Sequence, residues 1–191
     1  MSYIQIINEQ EATGELAVLY KRYSNPDGSV DNVLRVHSLN PESLASHCAL
    51  YVQSCHRPGP VSRAEREMVG VTVSRLNGCA YCQTHHAAGL KRLLPEDRRH
   101  LAGEVYNGEY SGLSERERAM CVYADKLTRT PDTITARDTE SLRQAGLNDR
   151  EILDVAQVAA YFAYANRIVL GLGASLEDEG ALGHVPEESR G

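Results

Sequence analysis

The sequence predicts an all-α protein, a multi-helix bundle, on three observations. Apolar residues recur at helical spacing nearly throughout. Strict alternation and β-branched clusters are scarce. Glycine and proline fall between segments of helical length. With 191 residues, 42% hydrophobic and 24% charged, the chain can bury a core without staples. One domain is expected, its core over about residues 40–173, with a polar, loosely held tail over 174–191.

A first helix is expected over about residues 9–23, ending in the turn-rich Ser24-Asn25-Pro26-Asp27-Gly28. Pro41 suits a first helical turn and opens a second helix that runs to about Cys55, before His56-Arg57-Pro58-Gly59-Pro60 stops it. Two helices meet at Asn77-Gly78, and another runs from Pro95 to about Tyr106. Three more start near Ser114, Thr135 and Asn148. Ser62-x-x-Glu65, Ser114-x-x-Glu117 and Asn148-x-x-Glu151 each read as a capping box. The similar strings at 65–67, 115–117 and 149–151 suggest an internal echo whose register stays open: identities pair Glu151 with Glu67, caps pair it with Glu65.

Net charge is −6, and no basic run offsets it, which argues against nucleic acid and anionic membranes as partners. The first thirty residues lack a basic stretch followed by an apolar one, so no secretory signal is expected. No run of about eighteen apolar residues suggests a membrane span. The expected location is cytoplasmic. There an odd set of five cysteines is a poor disulfide framework, and a C-x-x-C pair reads as metal-binding or redox-active. Cys48, Cys55 and Cys121 read as small buried hydrophobes.

The C-x-x-C pair lies in Asn77-Gly78-Cys79-Ala80-Tyr81-Cys82-Gln83-Thr84-His85-His86. Stepping about 100° per residue from Cys79 puts Cys79, Cys82, His86, Leu90 and Leu93 within an arc of about 80°. Both sulfurs and one imidazole thus share the stripe that Leu90 and Leu93 are expected to turn to the core. His85 falls outside it, on the Cys82 side. Asn77-Gly78 is a helix stop and reversal signal that folds the flanking helices into an antiparallel pair. Glu67 and His86 are about equally far from that turn and should face each other, with Gly70, Val71 and Ser74 small enough to permit close approach.

An ordinary thiol is only ~3% thiolate at pH 7, and the thiolate is the nucleophile. A helix N-terminus and a nearby imidazole can lower a thiol pKa by roughly two units. Glu67 would orient the imidazole and stabilise its protonated form. A second cysteine three residues away can resolve an oxidised first one into a disulfide. Structural zinc is the main rival, since Cys79, Cys82, His85 and His86 are all ligand types. However, the pair enters a helix directly, and no distant C-x-x-C or H-x₃-H completes a set. Buried, inert thiols are the third possibility. Gly-x-Gly-x-x-Gly, Walker A and Gly-x-Ser-x-Gly signatures are missing from the sequence. A thioredoxin-like reading would need strands around the pair.

The string Glu67-x₁₁-Cys79-x₂-Cys82-x₃-His86 closely resembles the alkylhydroperoxidase D-like branch of the carboxymuconolactone decarboxylase superfamily, and more narrowly its peroxidase-related subgroup. The likeness extends over roughly residues 40–173. It implies an AhpD-like all-α fold with two related helical halves, assembled as a trimer or hexamer. It also implies a cofactor-independent thiol peroxidase or disulfide reductase taking hydroperoxides, with an external dithiol reductant, of lipoyl or thioredoxin type. By position, Glu67 and His86 would form the proton relay, Cys82 the relay-coupled thiol, and Cys79 its more exposed disulfide partner. Tyr81 stands where the family carries a histidine, and a tyrosine is no base near neutral pH; Tyr81 and His85 are supporting candidates. Asn166 falls where a second half would hold its counterpart of Cys82. A redox sensor or scaffold whose dithiol does not turn over is the alternative from another class, alongside structural zinc.

Overall fold

The computed structural model describes residues 2–177. Its helices are α1 (Gly14–Tyr23), α2 (Asn32–Arg35), α3 (Pro41–Tyr51), α4 (Arg63–Leu76), α5 (Ala80–Leu93), α6 (Leu101–Asn107), α7 (Glu115–Arg129), α8 (Ala136–Gln144) and α9 (Asp149–Leu172). Among the described residues there is no strand. Three expected helices are shorter. Residues 9–11 form a turn before α1. The second helix leaves α geometry after Tyr51 and ends in a π-helical turn, Val52–His56. The segment after Pro95 begins as a 3₁₀ turn, Glu96–Arg98, before α6. The short α2 lacks an apolar repeat long enough to read from sequence.

All three expected capping boxes form. The Glu65, Glu117 and Glu151 amides donate to Ser62, Ser114 and Asn148 at 3.2, 3.3 and 3.0 Å. The return bonds from the Ser62, Ser114 and Asn148 amides measure 2.7, 2.9 and 2.8 Å. Arg116 links two of these carboxylates, with its guanidinium 2.7 Å from both Glu65 and Glu151. Thr135 and Asp138 form a fourth box at the start of α8, so this cap marks helix starts in general and leaves the register of the echo open.

Helix α4 is the centre of the molecule and packs against α5, α7 and α9. Val69 and Val73 meet Met120, Ala124, Val155, Val158 and Phe162 on one side. Met68 and Val71 meet Leu90, Leu101 and Val105 on the other. Each such side chain taken fully out of water contributes about 1.5–3 kcal/mol. A third cluster, Leu16, Leu19, Tyr20, Val30 and Leu34, packs on Leu44 and Cys48 of α3, so the N-terminal helices cover the bundle. Helix α9 is long and apolar enough to cross a membrane by length and composition alone; here Val155, Val158, Phe162 and Ala165 are spent on the core.

The start of the expected loose tail is held in place. Residues 174–177 are held against α2 and α5 by Ser175 and Glu177; the remainder of that expected tail, 178–191, lies outside the described residues.

Candidate active site

The reversal between α4 and α5 is built as the sequence suggests. Asn77 caps α4, Gly78 takes φ +69°, and the Cys79 amide donates to Ser74 O at 2.9 Å. A side chain at φ +69° would be strained, so the glycine is required there. The turn leaves Cys79 as the N-cap of α5 and Cys82 on its first turn.

The same antiparallel pairing brings Glu67 to His86, whose Nδ1 lies 2.6 Å from Glu67 Oε2. Glu67 is buried, and Arg63 approaches it at 3.7 Å. Burial pushes the Glu67 carboxyl up, but His86 and Arg63 outweigh it and hold it below its ordinary range. Gly70 does admit a close neighbour, though from α9 rather than α5. A Cβ at Gly70 would sit 2.4 Å from the Phe162 ring, and that ring packs edge-on against His86 with centroids 4.5 Å apart.

All five cysteines are unpaired and buried. Cys79 and Cys82 are hydrogen-bonded to each other, and both contact the Asn166 side chain. The Cys79 thiol is lowered from 9.0 to about 7, chiefly by the hydrogen bond from Cys82, against burial; the Cys82 and Tyr81 amides and Asn166 add to the lowering. The Cys82 thiol is raised, because it donates to Cys79, is buried and faces the charge that Cys79 carries. The two therefore titrate as a unit that readily gives up one proton and holds the second. The lowering comes from the partner thiol, the helix start and Asn166; the expected contribution of a nearby imidazole is not among its causes.

Two expectations are corrected. Cys79 is not the more exposed thiol: it is 0% exposed, against 4% for Cys82. As the N-cap it is tucked under Val169, Val33 and Ala174, and Cys82 is the one that lines the pocket. Leu93 does not join Leu90 in the core. Leu90 is fully buried, whereas Leu93 is 38% exposed and sits on the pocket wall; the next residue, Leu94, takes the core position instead.

The pocket has a volume of about 80 Å³, and Cys82, Glu67, His85, His86, Tyr51 and Phe162 are among its lining residues. That is room for several waters or a small substrate. His47 also lines it, kept neutral by burial first and then by His37, with a pKa of about 3.

Tyr81 and His85 are buried and joined by a residue that sequence reasoning missed. Glu177 accepts from the Tyr81 hydroxyl at 2.7 Å and pairs with His85 Nε2 at 2.6 Å. Asn166, expected on the buried stripe of the second half as a structural or pocket-lining counterpart of Cys82, reaches the dithiol itself. Its amide donates to Ser74 Oγ at 3.1 Å and its carbonyl accepts from Asn77 at 2.9 Å, so it ties the reversal to α9. Among the described residues no three His, Cys, Asp or Glu side chains converge as a metal-ligand set.

Comparison with known proteins places this all-α bundle in a known family. Residues 42–98 match the carboxymuconolactone decarboxylase family. An uncharacterized peroxidase-related protein from Silicibacter sp. TM1040 shares 32% identity over 86% of each chain, with a TM-score of 0.78. A peroxidase-related protein with an alkylhydroperoxidase AhpD core, from Ralstonia eutropha JMP134, superposes with a TM-score of 0.85 at 26% identity, over 97% of this chain and 98% of that one. The uncharacterized protein YdfG of Bacillus subtilis (strain 168) is 24% identical over 118 residues, 59% of this chain and 76% of its own. The chain belongs to the AhpD/carboxymuconolactone decarboxylase superfamily.

Proposed function

We propose that this protein is a thiol-dependent peroxidase that reduces hydroperoxides through Cys79 and Cys82. The observation that carries the reading is the 2.6 Å Glu67–His86 pair opening onto the same small pocket as Cys82. With a pKa of about 7, the dithiol is about half singly ionised at pH 7, against ~3% for an ordinary thiol. The charge rests on Cys79, and a proton shift along the thiol–thiolate hydrogen bond delivers it to Cys82.

The Cys82 thiolate attacks the terminal peroxide oxygen. An S–O bond forms, the O–O bond breaks, and the leaving alkoxide takes a proton from His86, which Glu67 holds in place. Cys79 then attacks the Cys82 sulfenic acid, its proton goes to the departing hydroxide, and the products are a disulfide and water. Overall, ROOH and two thiols give ROH, water and one disulfide. An external dithiol of lipoyl or thioredoxin type returns the two electrons, and no bound cofactor is required. A trimer or hexamer in the cytoplasm is the assembly and setting we propose for it.

Thiol counting in denaturant before and after one equivalent of peroxide, with turnover measured under excess dithiothreitol, tests this reading. The count falls from the five cysteines of the chain by one pair, and turnover follows. One stoichiometric oxidation without turnover would instead establish a sensor or scaffold. An unchanged count, with metal co-purifying, would establish a structural zinc protein.

A further inference from the structure

Residues 174–177 leave the end of α9 and cross the N-terminal end of α5. Ala174 packs with Val33 against Cys79, Tyr81, Cys82 and Val169. The Ser175 carbonyl accepts from Asn32 Nδ2 at 2.9 Å. Glu177 then turns back towards the pocket. One carboxylate oxygen accepts from the Tyr81 hydroxyl at 2.7 Å and from the Asn32 amide at 2.6 Å, and the other meets His85 Nε2 at 2.6 Å. Tyr81 and His85 bracket Cys82 on α5, and their rings pack with centroids 4.5 Å apart. Burial pushes the Glu177 carboxyl up, but these donors hold it below its ordinary range. The family-type histidine position is thus filled by a tyrosine whose hydroxyl is committed to Glu177.

We propose that residues 174–177 are a strap over the dithiol, latched by Glu177 on Tyr81, His85 and Asn32, and that the strap lifts to let a bulky dithiol reductant reach the Cys79–Cys82 pair. The argument is one of size. With the strap in place Cys79 is 0% exposed and Cys82 4%, and the pocket is about 80 Å³. A small peroxide fits such a space. A dithiol carried on a protein does not, yet it must bring a sulfur into contact with the disulfide. Reduction proceeds when one carrier thiolate attacks a protein sulfur to form a mixed disulfide. The second carrier thiol then displaces it, leaving two protein thiols and an oxidised carrier. Oxidation runs with the strap closed, and reduction runs with it open. The latch is the natural point of control, because the carboxylate makes the strap's charge-assisted contacts.

The role given to opening rests on the peroxidase reading, but the strap itself is tested without turnover. The reduced full-length protein is labelled at Cys79 and Cys82 with iodoacetamide and, separately, with a polyethylene-glycol maleimide, and the modified peptides are mapped by mass spectrometry. Losing the latch in Glu177→Ala should speed the bulky reagent by roughly tenfold or more, while the small reagent changes by less than about threefold. Tyr81→Phe, which keeps the ring packing, should give a smaller acceleration of the same size-selective kind. Equal acceleration of both reagents, or none for the bulky one, overturns the strap. If Glu177→Ala fails to fold, Glu177→Gln serves, because it removes the charge and keeps an acceptor. Size-selective labelling without peroxide turnover would uphold the strap and defeat the peroxidase. Turnover without size selectivity would do the reverse.

Discussion

His85 and His86 are neighbours on α5, and each lies 2.6 Å from a carboxylate, yet the two pairs are built by different parts of the chain. Glu67 comes from α4, a helix buried on several sides and locked to α5 by the turn at Gly78. Glu177 comes from a short segment beyond α9 whose hydrogen bonds reach Asn32 of α2 and Tyr81 and His85 of α5. One pair is fixed by the core of the fold, and the other is, on our proposal, the one that opens. Neighbouring side chains of one type can therefore serve chemistry and closure respectively, and the element that supplies each carboxylate decides which.

The largest effect that bears on this contrast is at the sulfur between the two pairs. Cys82→Ser should remove peroxide turnover, a loss of about a thousandfold or more, since a hydroxyl at neutral pH is a poor nucleophile; an assay of peroxide consumption, or one coupled to oxidation of the dithiol reductant, reads it. Next comes the contrast itself. Glu67→Gln should slow turnover about a hundredfold, in the range of general acid–base catalysis, while Glu177→Gln with dithiothreitol as reductant stays within about threefold of wild type.

A smaller effect is expected from Gly70→Ala, where the new methyl drives Phe162 off the His86 side only. It should cost about 1–3 kcal/mol in denaturant unfolding and depress turnover while leaving the His85–Glu177 pair intact. The smallest concerns the thiol itself. The dithiol loses its first proton at about pH 7, so alkylation rises through that pH and levels off above it. Asn166→Ala removes one of the groups that favour the thiolate. The midpoint should move upward and the rate at pH 7 should fall, by less than about tenfold. Glu67→Gln should leave the midpoint in place, because Glu67 and His86 are not among the groups that lower it.

What could be read from sequence followed physical regularity. The capping boxes at Ser62, Ser114 and Asn148 are local rules, and helix α5 inherits its stripe from 3.6-residue periodicity. Glu67 facing His86 follows from two helices of known rise joined by an Asn-Gly reversal. The relative burial of Cys79 and Cys82 was not legible, because it depends on Val33, Val169 and Ala174, brought from elements far apart in the chain. Glu177 lies 92 residues from His85 in a segment without periodicity, so nothing local signalled their pairing. Gly70 shows the intermediate case: its smallness was visible, but only packing assigns the space to Phe162.

The most direct measurement is the rate of peroxide-driven disulfide formation in a single turnover, followed side by side for wild type, Glu67→Gln and Glu177→Gln. Here Glu67→Gln should be slower by about a hundredfold with the same final loss of two thiols, and Glu177→Gln should match wild type. Equal rates for all three proteins would contradict the assignment of Glu67 and His86 to the chemistry of the dithiol.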